Sequence, residues 1–156
     1  MQNTPISGQV RALHRALLDI IGVMNRPRGD ETLLQAAGVR LDRALFPLLI
    51  GIERYGPVGV VELAEGVGRD YTTVSRQVAK LEALGLVTRR EGEADRRVRA
   101  AVVTLKGAEA IARIDAARER ILGAIFASWA PRDIDELVRL TRKYADDISR
   151  EPPPCA

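Results

Sequence analysis

The chain has 156 residues, 46% of them hydrophobic, which is one domain's worth of length and enough apolar material for a real core. Its 24 Lys and Arg against 21 Asp and Glu leave a net charge of only +3, so any positive charge that acts on a partner is concentrated locally rather than spread as a polycationic coat. One cysteine excludes a disulfide framework, one histidine leaves no ligand set for a zinc site, and no apolar run is long enough to span a bilayer.

At the N-terminus Arg11, His14, Arg15 and Asp19 interrupt what would have to be the apolar core of a signal peptide, so a cytoplasmic protein is expected. Val10, Leu13, Leu17, Ile20 or Ile21, and Met24 recur in steps of three and four, giving a helix with one apolar seam. It is expected to end at Asn25-Arg26-Pro27-Arg28-Gly29. A short helical stretch, Glu31 to Ala37, leads to Asp42, which suits the cap of a helix carrying Leu45, Phe46, Leu48, Leu49 and Ile52. Pro47 inside that pattern removes one backbone hydrogen bond and predicts a kink, unless the helix starts later.

Residues 58–107 carry the most informative pattern. Val61, Leu63, Ala64 and Val67 give a short helix an apolar stripe, and Gly66 and Gly68 loosen its end for a sharp turn. Asp70 suits the N-cap of the next helix, in which Val74, Val78 and Leu81 recur at helical spacing and must face a core. The opposite side shows Thr72, Thr73, Ser75, Arg76, Ala79 and Lys80. Small side chains let a helix sink into a major groove, hydroxyls suit phosphates, and an arginine suits a guanine edge. Gly85 ends the helix, and Leu86 to Glu91 and Val98 to Val103 read as two strands joined by the charged tip 92–97. Arg89, Arg90, Arg96, Arg97 and Arg99 make this hairpin basic. Taken alone, such a run is most simply a solvated hairpin tip; beside the preceding helix it reads as the wing of a winged helix-turn-helix.

Beyond the hairpin, Thr104 can cap a helix whose stripe runs Ile111, Ile114, Arg118, Ile121, Leu122 and Ile125. Trp129 and Pro131 mark a break, and Ile134, Leu137, Thr141, Tyr144 and Ile148 follow in near-heptad spacing. A small winged domain cannot cover apolar seams at both chain ends, so a second copy is the natural partner; the alternative is that the seams fold back on their own core. Three prolines in 151–156 forbid a helix there, and a disordered tail is expected, with its Cys155 incidental.

Leu63-Ala64, Thr72-Thr73-Val74-Ser75-Arg76, Leu81-Glu82, Gly85-Leu86-Val87, Asp95-Arg96-Arg97 and Val103-Thr104 through Gly107 fall in one order and register. The order resembles that of MarR-type transcriptional regulators: leucine-alanine, S/T-T-V-S/T-R, leucine-glutamate, glycine-leucine-valine, D-x-R, leucine-threonine-x-x-glycine. Val103 departs from it, standing where leucine is usual. The resemblance implies a mainly α fold with a small β-wing. In that frame 1–156 is a single domain, with an N-terminal dimerisation helix in 1–29, the winged helix-turn-helix in 42–107, C-terminal dimerisation helices in 108–150 and the tail in 151–156.

It further implies a sequence-specific DNA-binding transcriptional regulator, expected to be a repressor, that binds a palindromic operator as a homodimer. Thr72, Thr73, Ser75, Arg76 and Lys80 would divide base and phosphate contacts, with Arg76 the candidate for a guanine. Arg89, Arg90 and Arg96 would anchor phosphates and Arg97 would enter the minor groove. Asp95, repelled by DNA, would orient a wing arginine. Val10, Leu13, Leu17, Ile21, Met24, Ile134, Leu137, Tyr144 and Ile148 would form the dimer interface. In the family, small lipophilic anions, often aromatic acids, bind between the dimer helices and the winged domain, so such an effector is expected here too.

An enzyme is disfavoured. The sole histidine, His14, sits on a seam-forming helix; there is no H-E-x-x-H, no paired cysteine and no P-loop, and Gly66-Val67-Gly68 lacks the third glycine of a dinucleotide turn. No cofactor, metal or membrane partner is expected. The alternative function is a winged-helix adaptor that binds protein rather than DNA, against which the low aromatic content counts.

Overall fold

The computed structural model describes residues 6–91 and 99–150, as seven helices and a two-stranded sheet among them. In chain order these are α1 (Ile6–Met24), α2 (Pro27–Ala37), α3 (Phe46–Tyr55), α4 (Val60–Val67), α5 (Tyr71–Ala83), β1 (Val87–Glu91), β2 (Arg99–Val103), α6 (Leu105–Phe126) and α7 (Pro131–Ser149). They fall into two compact units, Met1–Ala117 and Arg118–Ala156, with α6 running from the first into the second.

The core of the first unit is the meeting of α3, α4, α5 and the root of the sheet. Leu48, Leu49, Ile52, Leu63, Val74, Val78, Leu81 and Val87 are all essentially inaccessible to water. α6 joins them through Ala110 and Ile111, and a smaller cluster forms where Leu34 and Ala37 of α2 meet Phe46, Ile114 and Ala117. No polar or charged residue is buried among the described residues, so cohesion here comes from apolar burial, worth about 1.5–3 kcal/mol per large aliphatic side chain.

Three helices end by one device. Gly38 after α2, Gly68 after α4 and Gly85 after α5 take φ of 65°, 66° and 73°, the left-handed region where a Cβ is strained. In each case the next residue's N–H returns to a carbonyl of the last turn: Val39 to Leu34, Arg69 to Ala64, Leu86 to Leu81, all at 3.0–3.1 Å. Gly66 has no such role; it lies inside α4.

The expected elements hold in kind and move at their edges. α2 starts at Pro27 rather than Glu31, because a proline fits the first helical turn, whose N–H would be unpaired anyway. α3 starts at Phe46, which places Pro47 in its first turn and removes any cause for a kink. Asp42 therefore does not cap α3; its Oδ1 accepts from Ala44 N–H at 2.8 Å in the turn before it. Val61, expected on the apolar stripe of α4, is exposed, and the stripe rests on Leu63 and Ala64.

β1 and β2 are antiparallel with Val87 opposite Val103, Arg89 opposite Ala101 and Glu91 opposite Arg99. Val58, between α3 and α4, bridges the far side of β2 by two hydrogen bonds with Ala101, at 2.8 and 3.1 Å. In the second unit, Phe126 and Trp129 meet edge to face, centroids 5.0 Å apart, at the corner between α6 and α7. No described helix is long and apolar enough to cross a membrane.

Candidate nucleic-acid interface

α5 owes its orientation to Val74, Val78 and Leu81, which are fully buried on one side. At 100° per residue this sends Thr72, Arg76 and Ala79 to the opposite side, with Lys80 close by; all four are exposed. Thr73 and Ser75 lie on the two flanks and are half-buried. The outermost positions carry no carboxylate, and Ala79 leaves the backbone open to close approach.

The start of α5 is held by its cap. Asp70 has extended backbone, and its Oδ2 accepts from Thr73 N–H at 2.9 Å while Oδ1 accepts from the Thr73 hydroxyl at 2.6 Å. The Thr73 hydroxyl bond, then the Thr73 backbone bond, hold the Asp70 carboxyl below the usual aspartate range, with a small further pull from Arg76. Thr73 thus commits its one hydroxyl proton to the cap.

A contact invisible to local pattern lies beside it. Arg69 Nη1 donates to the Ala44 carbonyl at 2.7 Å and to Gln77 Oε1 at 3.0 Å. Neither Arg69 nor Gln77 stands out in the sequence, since the two acceptors lie in different elements and no motif announces them.

The wing follows from the end of α5. Leu86 and Val87 enter the core, and the Thr104 hydroxyl donates to the Gly85 carbonyl at 2.6 Å while accepting from Gly107 N–H at 3.1 Å, so one residue ties the end of α5 to the start of α6. A Cβ at Gly107 would collide with the Leu86 carbonyl oxygen and lie 2.7 Å from Val103 Cγ1. On β1, Val87 and Arg89 share one face and Thr88 and Arg90 the other. Arg90 is exposed; Arg89 is half-buried, and its Nε is shielded from water with no hydrogen-bond partner among the described residues. Asp95, Arg96 and Arg97 lie outside the described residues.

Of the terminal residues expected at an interface, Val10, Leu13, Ile21, Met24, Leu137, Tyr144 and Ile148 are exposed in the single chain, and Leu17 and Ile134 are half-buried. None of α7 is buried. Near the end of α5 a groove of about 290 Å³ is lined by Val39, Leu84, Leu86 and Ala110 together with Arg40, Lys106 and Arg113, and Lys106 Nζ donates to the Leu84 carbonyl at 2.9 Å.

Known proteins share this fold. The family described as HVO_A0114 matches residues 45–106. The chain is 31% identical over 110 residues to the uncharacterized HTH-type transcriptional regulator YxaD of Bacillus subtilis (strain 168), covering 68% of this chain and 77% of that one. Among solved structures, it resembles a MarR family protein from Bacillus stearothermophilus with a TM-score of 0.73 at 21% identity, over 96% of this chain and all of that one. The transcriptional regulator Tm0710 from Thermotoga maritima aligns with a TM-score of 0.64 at 26% identity, over 90% of this chain and 96% of that one.

Proposed function

This chain belongs to the MarR family of DNA-binding transcriptional regulators, and from that premise we propose that it is a repressor that reads a palindromic operator as a homodimer. One observation carries this: full burial of Val74, Val78 and Leu81 leaves Thr72, Arg76, Ala79 and Lys80 as an exposed, acid-free helix face of groove-compatible size. Arg76 reads a guanine; Thr72, Ser75 and Lys80 take neighbouring base and phosphate contacts, and Thr73 holds the cap that starts the helix. Arg90, with Arg89 and Arg96, meets phosphates, Arg97 reaches the minor groove, and Asp95 serves to orient Arg97 or another wing arginine. Two such heads need half-sites about one helical turn, roughly 34 Å, apart. A dimer occupying that stretch blocks other proteins from it, which is repression in its simplest form.

Exposure of Val10, Leu13, Ile21, Met24, Leu137, Tyr144 and Ile148 supports α1 and α7 as the surfaces that join the two copies. The groove by Arg40, Lys106 and Arg113 supports an effector that is a small lipophilic, aromatic anion: its walls are apolar and every ionisable group lining it is a cation. Lys106 Nζ, now on the Leu84 carbonyl, would turn toward such an anion and release the end of α5.

Selection of a duplex from a randomised pool, followed by mobility-shift titration, tests the DNA reading. Arg76→Ala should cost about 1–3 kcal/mol on the selected duplex and relax base preference at one position, because a bidentate contact is lost. Affinity for the wild-type protein should fall steeply with salt as Arg and Lys displace counterions. Salt-independent binding, or equal weakening of every sequence by Arg76→Ala, would contradict the proposal.

A further inference from the structure

Arg69 stands in the turn between α4 and α5, half-buried, and spends one nitrogen on two acceptors from different parts of the chain. The Ala44 carbonyl belongs to the turn that opens α3, and Gln77 to the middle of α5. Both bonds are charge-assisted, and such bonds are about twice as strong as neutral ones. Arg69 has no carboxylate partner among the described residues, so its charge serves these two oxygens.

Gln77 lies on the flank of α5 that also holds Thr73 and Lys80, one turn to either side. A guanidinium only donates, so the Gln77 amide can present only its oxygen to Arg69, and the orientation of that amide is settled. A free glutamine reads adenine with both ends of its amide, accepting from N6 and donating to N7. With Oε1 turned to Arg69, that two-ended contact is removed. Only the Nε2 protons remain, and they suit acceptors such as phosphate oxygens.

We propose that Arg69 is a positioning residue for DNA recognition, fixing α5 against the turn that opens α3 and restricting Gln77 to donor contacts with DNA. This rests on α5 being the reading helix. Selectivity then depends on a residue that itself faces the protein interior, because base contacts by Arg76 require α5 to hold one rotation about its axis.

The test uses the full chain, the duplex enriched from a randomised pool, and a duplex of equal composition in shuffled order. Arg69→Met keeps an unbranched stem and removes both hydrogen bonds; affinity for the enriched duplex should fall about tenfold while that for the shuffled one changes by less than about twofold. Gln77→Glu keeps an acceptor for Arg69, removes the donors and adds a negative charge, so its melting temperature should be no lower than that of the wild type while affinity for both duplexes falls together. In a Gln77→Ala background the effect of Arg69→Met on the ratio of the two affinities should shrink, since the two side chains share one interaction. A purely structural role would lower both affinities in step with the folded fraction and leave their ratio unchanged. That result, beside a loss of selectivity in Arg76→Ala, overturns the positioning role alone. Unchanged selectivity in Arg76→Ala overturns the assignment of α5 as the reading helix, and the positioning role with it.

Discussion

Asp70 joins capping to titration. Its carboxyl is held below the ordinary aspartate range by the Thr73 hydroxyl first and the Thr73 backbone second. A lowered folded value means stabilisation that is complete above the unfolded aspartate value, near 3.9, and is lost as pH falls through the folded one. An asparagine in its place would still offer an oxygen to Thr73 N–H but nothing to titrate. Asp70→Asn should therefore melt at a slightly lower temperature than wild type near neutrality, and the gap should close on acidification below about pH 4, as followed by thermal melts across that range. A constant gap would mean that the charge contributes nothing. Gly107 makes the opposite kind of demand, for absence of a side chain. The Leu86 carbonyl that a Cβ would strike is held by Thr104 N–H at 3.0 Å, and Val103 is held in the strand pair opposite Val87. Gly107→Ala should cost at least about 2 kcal/mol in a denaturant titration, with DNA affinity of the remaining folded protein little changed.

At the scale of the element, α5 was legible because its two faces differ in kind. Val74, Val78 and Leu81 at helical spacing place the core, Asp70 announces the cap, and Gly85 the stop; all are local signals, and all appear as expected. Pro27 and Pro47 show where such signals mislead. A proline breaks a helix interior yet opens a helix well, and spacing alone does not distinguish the two. Val61 misled for a related reason: in so short a helix Leu63 and Ala64 are buried and Val60 and Val67 pack partly against the core, which leaves Val61 facing water. The Arg69 contact was out of reach because Ala44 is 25 residues away. For the wing, strand alternation separates two arginines that look equivalent in sequence. Arg90→Ala should weaken binding to all duplexes and lower the slope of affinity against salt by about 1, as expected for one lost phosphate contact. Arg89→Ala should lower the melting temperature more than Arg90→Ala does, because its stem is half-buried beside Val87. Identical salt slopes for wild type and Arg90→Ala would remove Arg90 from the interface.

On the scale of the whole molecule, apolar seams at the two ends were readable from periodicity, whereas what covers them was not. One chain leaves Ile21 and Ile148 exposed, and charge placed there costs a monomer little but a packed interface much. Each aliphatic side chain lost from such an interface is worth roughly 1.5–3 kcal/mol, before the cost of burying a carboxylate. Ile21→Glu with Ile148→Glu should sediment as a monomer, keep its helical circular dichroism and lose operator affinity far beyond one phosphate contact, because two linked heads become separate ones. A persistent dimer would remove these helices from the interface.

The bridge from Val58 to Ala101 has a consequence for solubility. A two-stranded ribbon presents two open edges, each a template onto which a strand from another molecule can add. The bridge covers the edge of β2 at Ala101 with the chain's own backbone, and among the described residues β1 is the side without such cover. That side reads Thr88-Arg89-Arg90-Glu91 beyond its first residue, charged where an incoming strand would need apolar contacts. The arginines proposed to meet phosphates would thereby also keep this edge from nucleating aggregation between copies held close together on DNA.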